Sequence, residues 1–274
     1  MSHQTSTTVR MPEIGICAHR GAMDRFPENS LSAIKEAIRL GVHMVEFDTR
    51  MSKDGHPMVI HDKTLDRLTN GTGRVRDYSA EVLKQFVISG DDKVEGGNER
   101  IATLEEVLRI IPTNVWVNIH VKDSLRKTNY WVSLMRYFKP DLLVGFVERV
   151  TRIIVNEGML HQAFLTTDIN TSKHARSIDP RIQICVILRN RNVTDESIDA
   201  IIKSKAQFVQ LSCRREANEQ QIRRLKEVGI KTTYVKACTL EDLDRLYRRG
   251  INFPLVDNIY EITPGLQKLN TVLA

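Results

Sequence analysis

The chain has 274 residues, 41% hydrophobic and 27% charged, with 14 glycines, 8 prolines and 4 cysteines, which excludes a disordered, collagen-like or disulfide-framework protein. This length suits two small domains or one large α/β unit. The formal charge of +6, from 40 basic against 34 acidic residues, is compatible with anionic ligands.

The basic stretches at 214–227 and 243–250 also carry acids and show helical apolar spacing. They read as solvated helix faces, so no nucleic-acid partner is expected. Cys17, Cys185, Cys213 and Cys238 are far apart and form no CxxC pair. Reduced thiols buried in strands, in a reducing compartment, are the expectation. Residues 1–12 have no apolar leader and read as a flexible arm. No run reaches the roughly 18 apolar residues of a membrane span, and a cytoplasmic chain is expected.

In chain order, IGICAH (14–19) reads as a strand, 30–41 as a helix capped by Ser30 and Gly41, and HMVEFDTR (43–50) as a second strand. These form a βαβ unit. The turn KDGH leads into a short extended return, PMVIH (57–61). Residues 62–100 are polar and rich in Gly and Asp, with one short helix near 79–86, and read as an elaborated loop. Alternation then resumes with a helix at 103–111, a strand at 115–122, a helical stretch at 129–157 and a strand at 161–167. Helices at 171–178, 194–204, 216–228 and 240–249 precede strands at 181–188, 206–212, 231–237 and 252–257. Eight strands alternating with helices predict a (β/α)₈ TIM-type barrel, a single domain over 13–274 with an insertion at about 62–100 after the second β unit. An open doubly wound sheet is the alternative.

Period-two alternation puts Glu46 and Asp48 on one strand face, opposite Val45, Phe47 and Thr49. Two acids buried together repel, so such a pair needs a cation or a shared proton. Otherwise the strand end is simply solvated, or its acids pair with Arg50. The same alternation aligns Asn118, His120 and Lys122. In a barrel the C-terminal strand ends carry the active site, where Glu46, Asp48, His120 and Lys122 would converge. His19 ends the first strand before Arg20-Gly21, and His61 ends the extended return. Two histidines at strand ends can serve as general base and general acid, while Arg20 and Lys122 can neutralise a phosphate or an oxyanion. His3, His43, His56, His161 and His174 have no comparable context and are expected to be ordinary loop residues.

The runs A-H-R-G-x-x-x-x-x-P-E-N-S (18–30), V-E-F-D (45–48), S-K-D-G-x-P-M-V-I-H-D (52–62), L-x-R-L-T-N-G-x-G-x-V (65–75) and A-T-L-E-E-V-L (102–108) are ordered and spaced as in one family. They resemble the glycerophosphodiester phosphodiesterases. The resemblance implies a TIM-type barrel of lipid metabolism. Such a barrel hydrolyses a small-molecule glycerophosphodiester to glycerol 3-phosphate and an alcohol with one divalent cation (Mg²⁺, Ca²⁺ or Mn²⁺). It also implies that His19 and His61 are the acid/base pair and Arg20 the phosphate ligand. Glu46 and Asp48 match metal ligands, and Glu28 is a supporting glutamate close to the site. The polar stretch after His61 matches the family's small insertion.

Three departures stand out. Where the family's third strand has a metal-binding glutamate, this chain has His120 between Asn118 and Lys122. An imidazole ligand shifts the expected preference toward a transition metal. The seventh and eighth strands read Tyr234-Val235-Lys236-Ala237 and GINFPLVD (250–257) in place of the family's usual runs, so different substrate-facing side chains are expected. A phosphodiesterase or lyase-type phospholipase acting on another sugar or lipid phosphodiester, and a barrel that binds its ligand without turnover, are the competing readings.

Overall fold

A computed structural model describes residues 11–88, 98–122, 140–188, 193–214 and 216–265. Among these residues nine strands are laid down in chain order: β1 (Cys17–His19), β2 (Met44–Met51), β3 (Pro57–Val59), β4 (Trp116–Val121), β5 (Ala163–Thr167), β6 (Gln183–Ile187), β7 (Phe208–Ser212), β8 (Lys231–Ala237) and β9 (Phe253–Val256). All but β3 are parallel, and pairing of β1 with both β2 and β9 closes them into a ring. The expected eight-stranded barrel is therefore the observed one. The short return, β3, lies outside the ring, antiparallel to the end of β2 through Thr49↔Val59 and Arg50↔Met58.

Between the strands run α1 (Leu31–Arg39), α2 (Ala80–Leu83), α3 (Leu104–Leu108), α4 (Pro140–Asn156), α5 (Ile169–Ile178), α6 (Asp195–Lys203), α7 (Glu219–Glu227) and α8 (Leu240–Arg248). Their starts are set chemically. Ser30 accepts from the Ala33 amide, and Thr103, Thr194, Asn218 and Thr239 each form a reciprocal capping box. The first part of the helix expected at 129–157, and nearly all of the N-terminal arm, lie outside the described residues. Among the described residues no helix is long and apolar enough to cross a membrane.

Alternation along the strands divides the interior into two cores. Outward residues such as Val45, Phe47, Val117, Ile119, Leu165 and Val209 pack against helix residues including Ile34, Ala37, Val147, Ile198 and Leu225. Inward residues Cys17, Met44, Trp116, Phe164, Cys185, Phe208, Phe253 and Leu255 fill the barrel, with the Phe164 and Phe208 rings stacked at 4.0 Å. Met44, Cys17 and Trp116 stand two positions before Glu46, His19 and Asn118 on the same strand faces. The barrel is thus plugged below by apolar side chains and open to polar ones above. Cys17 and Cys185 belong to the plug, whereas Cys213 after β7 is exposed and Cys238 half-buried, so burial of thiols in strands holds for two of the four cysteines.

The stretch read as a polar loop has a core of its own. Leu65, Leu68, Val75, Ala80, Leu83 and Ile88 pack with Met58, Ile60 and Ile101, and the bridges Thr64↔Arg74, Thr69↔Ile88 and Val87↔Arg100 tie the strand-like pieces together. It is a small packed unit resting against β3, with a 3₁₀ turn at Val75–Asp77 and α2 as its regular elements.

Gly21, directly after the functional end of β1, has φ +82°, and a Cβ there would stand 2.6 Å from the Ala33 carbonyl carbon. Close approach of the loop to α1 is needed because the Ala22 amide donates to Ala33 O at 2.9 Å. Gly21→Ala combines a left-handed backbone penalty with a backbone clash and is expected to cost about 2–3 kcal/mol. Urea unfolding of the variant checks this, and an unchanged midpoint at unchanged slope would contradict it.

Candidate active site

Parallel register places the polar residues of three neighbouring strands side by side, His19↔Glu46, Glu46↔Asn118 and Asp48↔His120. Lys122 follows β4, His61 follows β3 and Asp257 follows β9, so all of them gather at the C-terminal mouth of the barrel. Glu46 and Asp48 are 1% and 0% exposed, which removes the solvated-strand reading. Pairing with Arg50 does not account for them, since Arg50 Nε donates to the His61 carbonyl at 2.6 Å.

Asp48 is the centre of charge. Its Oδ1 lies 2.9 Å from Lys122 Nζ and 3.2 Å from His120 Nδ1, and its Oδ2 lies 3.3 Å from Arg20 Nε. Burial opposes ionisation of Asp48, but the close His120 and the charges of Lys122 and Arg20 outweigh it and hold the pKa well below the usual value. Asn29 fixes the position of this carboxylate, its Oδ1 accepting from the Asp48 amide at 2.9 Å and its Nδ2 reaching Oδ2 at 3.4 Å. Asn29 and Arg20 both adopt left-handed backbone, φ +61° and +58°, which bends the chain so that the Arg20 amide donates to Glu46 Oε2 at 3.2 Å. Backbone strain of this kind collects at functional sites.

Glu46, Asp48 and His120 each offer a ligand atom, and these atoms lie within 4.8 Å of one another. Two carboxylates and an imidazole at this spacing suit a divalent cation. Asp48 Oδ1 supports the fit: it is buried, and despite its charged neighbours no donor is aligned to it as a hydrogen bond. The cluster can therefore hold a metal ion.

The two histidines are arranged alike. His19 Nδ1 donates to Asp257 Oδ1 at 2.6 Å, and His61 Nδ1 donates to Asp62 Oδ1 at 2.6 Å. In each ring Nδ1 is thereby committed, and Nε2 is left for chemistry. Burial disfavours the charged form of His19, but the bond to Asp257 and the charge of Glu46 overcome this and raise its pKa. For His61 burial prevails and the pKa is lowered. Asp257 is held in turn by Lys236 Nζ at 2.7 Å, and despite burial its bonds to His19 and Lys236 bring its pKa to about 2.

Arg67 joins the packed insertion to the barrel mouth. Its guanidinium spans Asp62, with Nε to Oδ2 at 2.6 Å, and Glu28, with Nη2 to Oε1 at 2.9 Å. Glu28 also accepts from Arg20 Nη1 at 2.8 Å. A continuous chain of ion pairs thus runs from His61 through Asp62, Arg67, Glu28 and Arg20 to Asp48.

Every residue singled out from the sequence, namely His19, Arg20, Glu28, Glu46, Asp48, His61, His120 and Lys122, lies in this one mouth. Sequence reasoning did not find Asp257, Asp62, Arg67 or Asn29. Asp62 and Asp257 carried a signal, one adjoining His61 and the other ending the last strand of the ring.

A family model described as the Glycerophosphoryl diester phosphodiesterase family matches residues 19–250. The chain is 42% identical over 113 residues to the glycerophosphodiester phosphodiesterase of Caldanaerobacter subterraneus subsp. tengcongensis, covering 40% of this chain and 46% of that protein. It is 33% identical over 132 residues to human glycerophosphodiester phosphodiesterase 1, covering 47% of this chain and 40% of that protein. The aligned stretch thus spans less than half of these curated relatives. Among solved structures, a phosphodiesterase of Oleispira antarctica in complex with its product sn-glycerol-3-phosphate superposes with TM-score 0.76 at 20% identity, over 94% of this chain and 97% of that one. A Silicibacter pomeroyi structure described as a glycerophosphoryl diester phosphodiesterase gives TM-score 0.76 at 15% identity, over 93% and 94% of the two chains. These structural likenesses carry the barrel fold. The matched stretch begins at His19 and extends over most of the chain, and on that match the protein belongs to the glycerophosphoryl diester phosphodiesterase family.

Proposed function

We propose that this protein is a metal-assisted phosphodiesterase that converts glycerophosphodiesters to glycerol 3-phosphate and an alcohol. The observation that carries the reading is the pair of histidines at one barrel mouth, each with Nδ1 on a carboxylate at 2.6 Å, beside the charged cluster centred on Asp48. A site that only bound its ligand has no need of two such imidazoles. Family membership and a relative solved with sn-glycerol-3-phosphate point to the same substrate class.

In this reading Arg20 and Lys122 receive the phosphate oxygens, with Arg20 held in place between Glu28 and Asp48. One histidine Nε2 takes the proton of the glycerol hydroxyl next to the phosphodiester as that oxygen bonds to phosphorus. The other gives a proton to the departing alkoxide, so one P–O bond forms while one breaks and a cyclic phosphate results. Water then opens the ring with the two imidazoles in exchanged roles. Glu46, Asp48 and His120 would hold the divalent cation, which supplies Lewis-acid stabilisation of charge on the phosphate oxygens. The imidazole of His120 favours Mn²⁺, Fe²⁺ or Zn²⁺ over Mg²⁺ and Ca²⁺ at this site.

The test is incubation of purified protein with a panel of glycerophosphodiesters and each of these metals, following release of glycerol 3-phosphate. Release is expected, stopped by chelation and restored best by a transition metal. A cyclic phosphate that accumulates without opening would replace this reading by a lyase. Binding without turnover of any diester, with every metal, would leave a ligand-binding barrel.

A further inference from the structure

The barrel mouth has two unlike walls. On β1, β2 and β4 every inward polar side chain above the apolar plug is charged or a histidine apart from Asn118, whose Oδ1 accepts from Thr166 Oγ1. The facing wall, on β5 to β7, presents neutral groups from its strands, while on β8 Lys236 is spent on Asp257 at 2.7 Å, and among the neutral groups Gln210 of β7 has no assigned role. Gln210 stands two positions beyond Phe208 on the same strand face, and Phe208 stacks on Phe164 inside the barrel, so Gln210 also faces inward, one step nearer the mouth. It is 8% exposed, and its Oε1 is buried without a hydrogen-bond partner. Its register neighbours, Ile187 on β6 and Thr233 on β8, do not satisfy it.

A buried amide oxygen left without a donor is costly unless something pairs with it. A glutamine offers one donor and one acceptor close together, which is the complement of an alcohol hydroxyl, itself donor and acceptor. A phosphate oxygen would satisfy only the donor, and the cations that attract phosphate are on the opposite wall. We propose that Gln210 is a specificity-determining residue that reads a hydroxyl group of the ligand's polyol portion, while the phosphate is taken by the charged wall. The ligand class is a polyol phosphate or its diester, oriented across the barrel mouth with phosphate toward β1, β2 and β4 and hydroxyl toward β7. This inference rests on the phosphodiesterase reading above for its substrate class.

The test compares sn-glycerol 3-phosphate with ethyl phosphate, which has the phosphate but no hydroxyl, by calorimetric titration in excess Mn²⁺. The wild type is expected to bind the glycerol phosphate more tightly. In Gln210→Met, which keeps side-chain length and loses both hydrogen-bonding atoms, affinity for sn-glycerol 3-phosphate should fall about tenfold while affinity for ethyl phosphate stays the same. Unchanged ethyl phosphate binding also certifies an intact fold. Equal loss for both ligands, no loss for either, or a wild type that does not distinguish them would overturn the proposal. Failure of the phosphodiesterase reading shows elsewhere, as a wild type that binds these ligands yet turns over no glycerophosphodiester.

Discussion

His19→Ala and His61→Ala are each expected to lower kcat on a glycerophosphodiester by about 10²–10⁴-fold, the usual worth of a positioned general acid or base. Neither ring contributes to the apolar cores, so thermal unfolding should move little. The double variant should be scarcely worse than either single one, because the two imidazoles serve the same proton transfers and lose their value together. Steady-state rates with saturating metal, alongside the unfolding midpoint, decide the matter. A variant that retains activity within a few-fold of wild type would remove that histidine from the acid/base pair.

Asp48→Asn should have the largest effect on the metal and on stability together. The carboxylate is fully buried and faces Lys122, Arg20 and His120 at 2.9, 3.3 and 3.2 Å. An amide of the same shape takes away the negative charge, so Lys122 loses its buried counter-charge and Arg20 keeps only Glu28. Breaking a buried ion pair on one side typically costs about 3–5 kcal/mol. Unfolding of the chelator-treated variant should therefore show a loss of about 3 kcal/mol. Added Mn²⁺ should stabilise the wild type in proportion to its binding, and the variant not at all. Equal stabilisation of both proteins by Mn²⁺ would place the metal elsewhere.

Much of the architecture was legible because the barrel repeats one simple signal. Strand runs such as VWVNIHVK and AQFVQLS sit between helices opened by Ser, Thr or Asn, and both the period and the caps are local properties. The charged wall was legible for the same reason, since alternation alone aligns Glu46 with Asp48 and His120 with Lys122. The insertion was not, because Leu65, Leu68, Val75, Leu83 and Ile88 follow neither helical nor strand spacing, and their packing appears only when the chain folds back on β3. Partners far apart in sequence were equally invisible: His19 and Asp257 are separated by 238 positions. Arg67 stands inside the L-x-R-L run without a role that sequence alone assigns, and the fold places Asp62 and Glu28 on either side of it. Gln210 occupies an inward position that barrels more often fill with a branched apolar side chain, a local exception that became visible only against its neighbours.

The ring closes where the first and last strands meet, through the two register pairs Cys17↔Leu255 and Ala18↔Val256. The same seam carries the bond from His19 to Asp257. During synthesis a ribosome delivers His19, Arg20, Glu46, Asp48 and His61 early, but the carboxylate that orients His19 arrives almost two hundred residues after His61. A nascent or prematurely terminated chain thus lacks an oriented His19, and under the proposed mechanism a barrel still open at this seam is expected to be inactive. Contacts of such long sequence separation also form slowly. Onset of the proposed activity is therefore expected to report ring closure itself.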